Sequence, residues 1–137
     1  MFAEVVLQVA RVDSDNLVIR VACDGAGWTA QGHLEEASSN GYEDWKDGAR
    51  VGIRFACALV GLPNAAVVVA RITGMTSDTN PTVVAAAAAL AILQNGGKQV
   101  EPRVRSWLYT QAFDSWSSPQ DFVPDWSQDL LRWGGPV

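Results

Sequence analysis

Acid–base chemistry near neutral pH needs a titratable group beside a carboxylate, and the chain has one imidazole, His33, in Gln31-Gly32-His33-Leu34-Glu35-Glu36. Glu35 or Glu36 would raise its pKa, and His33 with Asp24, Glu35 or Asp78 could divide the roles of general acid and base. Asp78 stands in Ser77-Asp78-Thr79-Asn80, a polar loop at a helix N-terminus, where free backbone N–H groups favour anions and an aspartate works against them. The plainer reading is a solvated histidine and ordinary helix capping. Other chemistries lack their residues. There is no Gly-x-Ser-x-Gly nucleophile turn, and Asp24-Gly25-Ala26-Gly27 has neither a GxGxxG frame nor a Walker lysine. With a single histidine, Cys23 and Cys57 make no zinc site and read as buried free thiols, so neither metal nor cofactor is expected.

Recognition by aromatic faces is the second candidate chemistry. Residues 101–137 hold Trp107, Trp116, Trp126 and Trp133, four of the six tryptophans. Tyr109, Ala112, Phe113 and Trp116 recur at helical spacing, as do Trp126, Leu130 and Trp133. Trp28, Trp107, Tyr109, Trp116 and Trp126 are therefore the candidate ligand contacts. Aromatic faces near carboxylates suit apolar or cationic molecules and peptides.

These residues need a frame. Residues 3–11 and 17–23 read as a β-hairpin joined by Asp13-Ser14-Asp15-Asn16, and a short third strand is expected over Trp28–His33. Residues 35–41 read as a polar loop. A helix runs from Glu43 to about Val60, its face of Trp45, Ala49, Gly52, Ile53, Ala56 and Leu59 thinned by Gly48 and Gly52 so that it can lie close on a sheet. Ala66–Thr73 has the β-branched density of a buried strand. Asn80 caps a helix that starts at Pro81, and Gly96-Gly97 ends it. At 13 residues that helix is too short to cross a membrane.

The order predicts an α+β fold: a βββαβα mixed sheet with two helices on one face, plus a Trp-rich C-terminal helical extension. Residues 1–100 form the core. Residues 101–137 form a tail that packs on the core or on a second subunit, a homodimer in the latter case. An open sheet face is available to that tail, and a cleft between them would be edged by the acids of the 24–47 segment.

Gly61, Pro63, Gly74, Asn80 and Ala85 share their spacing with domain IV of elongation factor G, and residues 44–97 resemble that domain throughout. The resemblance implies the fold named after the second domain of a small-subunit ribosomal protein, here without a GTPase domain. It also implies that the loop at Ser77 and Asp78 corresponds to the tip reaching the decoding centre. Ser77 stands where bacterial members commonly carry histidine.

Charge speaks against a nucleic-acid partner. The formal charge is −5, with six acids between Asp24 and Asp47 against Lys46 alone. Eight arginines to two lysines suggest a bacterial, GC-rich source. No secretory leader is evident at the start, so a cytoplasmic protein is expected. Three functions follow as expectations: an acidic module binding a small apolar or cationic ligand or peptide in an aromatic cleft; a small cofactor-free cyclase, lyase or isomerase of specialised metabolism; or a ribosome-associated factor.

Overall fold

The computed structural model describes residues 2–12, 16–28, 34–62, 64–75, 77–95 and 99–133. It is α+β, in the order β1 (Ala3–Arg11), β2 (Val18–Val21), β3 (Leu34–Glu36), α1 (Glu43–Leu59), β4 (Ala65–Met75), α2 (Pro81–Leu93) and α3 (Pro102–Asp114). Short 3-10 turns follow at Ser115–Ser117 and Asp129–Trp133. Among the described residues no helix is long and apolar enough to cross a membrane.

The most β-branched strand takes the middle of the sheet. β4 pairs antiparallel with β1 along one edge, and along the other it pairs parallel with β2 and antiparallel with β3. β1 and β2 therefore do not form the expected hairpin, because β4 separates them. A strand apolar on both faces gains most from neighbours on both edges. The third strand also differs. It begins at Leu34 and runs into the stretch expected to be loop, and residues 29–33 of the expected strand lie outside the described residues. A bulge sets the phase of β4: Val6 is opposite Arg71 and Leu7 opposite Val69, leaving Ala70 extra. Val67 and Val69 before it and Ile72 after it are consequently all buried, while Arg71 stays exposed.

Both core helices cover one face of the sheet. The thin face of α1 meets α2 rather than the strands. A Cβ on Gly48 would overlap the carbonyl of Pro81, and one on Gly52 that of Ala85. The two backbones touch there, a spacing that only glycine allows. α2 is capped as its sequence requires, with Asn80 Oδ1 accepting from the Val83 N–H at 2.9 Å.

The tail forms a third layer on the outside of the helices. α3 buries Val104, Trp107, Leu108 and Ala112, spaced at i, i+3, i+4 and i+8. The expected stripe of Tyr109 and Phe113 faces away from the core, and these two are 51% and 69% exposed. The second aromatic segment is a turn and a 3-10 helix rather than a full helix. The opposite sheet face carries ion pairs, Arg71 with Glu4 at 3.3 Å and with Glu36 at 3.7 Å. The described tail residues pack on α1 and α2 rather than on that open sheet face.

Candidate functional site

The carboxylate candidates gather along one end of the sheet but point to different surroundings. Glu35 on β3 is opposite Gly74 of β4 and turns toward the helices, where the Tyr42 hydroxyl donates to its Oε1 at 3.2 Å. Tyr42 enters α1 in the left-handed region at φ 57°, and its ring packs on Trp45 with centroids 4.9 Å apart. Burial, and then the charge of Glu35, raises the Tyr42 pKa above its ordinary value. Lys46 is buried beside them, donating to the Ser39 carbonyl at 3.2 Å and standing 3.9 Å from Glu43. Asp24 is exposed just beyond β2. Asp78 holds the β4–α2 turn through its main chain, its N–H donating to Met75 at 3.0 Å and its carbonyl accepting from Phe2 at 3.2 Å. His33 lies outside the described residues. The register brings Glu35 and the Asp78 turn to the same end of β4, yet Glu35 is sealed and already engaged.

The aromatic candidates separate into two kinds. Trp28 and Tyr109 are exposed, and Trp116 is half-buried at the end of α3. Trp107 and Trp126 are buried together against Phe55 of α1. Phe55 stacks on Trp107 at 5.1 Å, Trp126 meets both rings edge-on at 5.5 and 5.2 Å, and Trp133 meets Trp107 edge-on at 6.2 Å. The guanidinium of Arg103 lies 5.7 Å over Trp133. Such offset and edge-on pairs add to the burial of each ring.

This cluster has an unmet polar demand. The indole N–H groups of Trp107, Trp126 and Trp133 are all shielded from solvent and have no hydrogen-bond partner. Neighbouring π faces accept an N–H only weakly. A buried donor without an acceptor costs about 1–3 kcal/mol. Three of them in one cluster mark it off from an ordinary apolar core.

Two apolar cavities flank the cluster. One, of about 340 Å³, lies between α1 and the 125–130 segment, walled by Val51, Phe55, Ala58, Trp126 and Leu130 with Arg54 and Asp125 at its rim. Ser127, through its hydroxyl at 2.7 Å and then its N–H at 3.0 Å, holds the Asp125 carboxyl below the ordinary range. The other, of about 310 Å³, lies beneath the start of α3, between Leu59, Leu93, Val100, Val104 and Trp133. None of the acids from Asp24 to Asp47 lines either cavity.

Of the expected ligand contacts, Trp126 lines a cavity and Trp107 backs it, whereas Trp28, Tyr109 and Trp116 line neither of these two. The α1 contribution was missed. Val51, Phe55 and Ala58 repeat at i, i+4 and i+7 as a second apolar stripe beside the glycine face, and that stripe was its signal. Comparison of the chain with protein-family models, with curated proteins and with solved structures gives no match.

Proposed function

We propose that the chain is a binding module for a small, mainly apolar molecule, held where the aromatic tail closes over α1. The observation that carries this reading is the pairing of unmet indole donors with adjacent apolar space. Trp126 and Trp133 each wall a cavity and each lack an acceptor for a buried N–H. A ligand with an apolar body and one acceptor atom fills the space, and it satisfies a donor once the indole turns to present it. Cavities of this size fall at the lower end of small-molecule sites, which span about 300–1,000 Å³. The acids that favoured a cation line neither cavity, and the one carboxylate of each, Asp125 or Glu101, is matched by an arginine, so an apolar ligand fits better than a cationic one.

The test fills the cavities from within. Ala58 and Val60 are half-buried and exposed respectively, so Ala58→Phe and Val60→Trp can block one cavity each without disturbing the α1–α2 joint. Titration with 1-naphthol, followed by tryptophan fluorescence, should give saturable binding that one of these folded variants abolishes. Absence of saturable binding, or binding indifferent to both substitutions, would overturn the reading.

A further inference from the structure

We infer that the cavity between α1 and the 125–130 segment takes a small apolar carboxylic acid, its carboxylate on Arg54 and its body among Val51, Phe55, Ala58 and Trp126. The inference rests on the binding-module reading and adds the ligand's chemical class. Its basis is the one arginine of α1 left without a partner. The other two cations of α1 pair within the helix: Lys46 with Glu43 at 3.9 Å and Arg50 with Asp47 at 2.7 Å. Arg54 has no such option, since three and four residues away stand Val51, Arg50, Cys57 and Ala58. Among the described residues it makes no ion pair and no hydrogen bond. It stands instead at the rim of an apolar cavity.

The rim's own carboxylate does not answer it. Asp125 is bound by Ser127 at 2.7 and 3.0 Å and has no ion pair with Arg54. Its charge repels a second carboxylate nearby, so the ligand's head group is confined to the Arg54 side of the mouth. Trp126 walls the same cavity, and its buried, unmet N–H becomes a second donor once the indole turns. A guanidinium at the mouth suits a carboxylate, because hydrogen bonds to an ionised acceptor are the stronger ones.

The neighbouring cavity shows why this one is singled out. Its arginine, Arg103, is already engaged by Glu101 at 3.1 Å and lies over Trp133. Glu101 also lines that cavity, so a ligand carboxylate there would displace an existing pair.

The experiment compares 3-phenylpropionate with 3-phenylpropionamide, two probes of one shape and different charge, by calorimetry on the whole chain. The unchanged protein should bind the acid about tenfold or more tightly than the amide. Arg54→Leu should erase that preference while amide binding persists, and Arg54→Lys should restore part of it. Arg103→Leu should leave the preference intact. Equal binding of acid and amide would overturn the carboxylate assignment and leave the apolar site standing. A preference that survives Arg54→Leu, or falls with Arg103→Leu, would place the carboxylate elsewhere and overturn it too. Failure of the unchanged protein to bind either probe would overturn both the assignment and the site.

Discussion

The side-chain amide of Asn80 donates to the hydroxyl of Ser115 at 2.9 Å, while its carbonyl oxygen caps α2 through the Val83 N–H. One buried side chain thus fixes the start of the core helix and the end of α3 together. Asn80→Ala should lose the cap and the joint at once, at about 2–3 kcal/mol. Ser115 itself stays partly satisfied, since its hydroxyl also donates to the Ala112 carbonyl at 2.5 Å. Chemical denaturation measures the loss, and a change under about 0.5 kcal/mol, the range of an ordinary surface substitution, would mean that the joint does not form.

Gly52 tests the contact between the core helices. In a helix interior Gly→Ala ordinarily gains about 1 kcal/mol. Here the added methyl would meet the Ala85 carbonyl, backbone that cannot swing aside. Overpacking of this kind costs about 1–3 kcal/mol or more, so Gly52→Ala should destabilise despite the better propensity. A raised melting temperature would show that α1 and α2 stand further apart.

Trp107 and Tyr109 are two residues apart on α3 and should differ sharply. Trp107 is 7% exposed and Tyr109 51%. Trp107→Ala should cost about 3–5 kcal/mol, and Tyr109→Ala about 0.5 kcal/mol or less. Equal costs for the two would contradict the packing of the tail on α1 and α2.

Burial pushes the Cys57 thiol from 9.0 up to about 11. The folded chain therefore keeps its proton through a window in which the unfolded chain has lost it. Stability should be unaffected below pH 9 and fall as pH rises toward 11, by on the order of 2 kcal/mol. The Cys23 and Tyr42 shifts have the same direction and add to the slope. Urea denaturation between pH 8 and 11, with Cys57→Ala for comparison, checks this. The variant should show the shallower decline, and an unchanged slope would refute the assignment.

The frame was legible where local chemistry decides it. Asn80-Pro81 announced the start of α2, the β-branched run announced β4, and the βββαβα order with both helices on one side followed from these. Pairing was not legible, because strand neighbours are set by which strand most needs burial on two sides. That is why β4 came between β1 and β2. The glycines of α1 signalled a close approach but not its partner: a helix backbone and a sheet make the same demand on a thin face, and Ala85 supplied the backbone. On α3 two apolar stripes compete, and the one with Trp107 and Leu108 won over Tyr109 and Phe113 by matching the surface left by Phe55. The site suffered from the same ambiguity. Trp107 and Trp126 were visible as candidates, but their meeting with Phe55 is a three-layer contact that spacing along one segment does not encode.

The central claim is that the space beside the tail's aromatic cluster is a ligand site, and the indole N–H resonances of nitrogen-15-labelled protein test it most directly. The chain has six tryptophans, of which Trp107, Trp126 and Trp133 carry the buried, unmet donors. Titration with 1-naphthol and with 3-phenylpropionate, with each resonance assigned by a single Trp→Phe substitution, should shift the signals of Trp126 or Trp133 saturably, with Trp107 following through its ring contacts. The exposed Trp28 should stay where it is. Shifts at Trp28 with none in the cluster, or no saturable shift at any indole, would contradict the account.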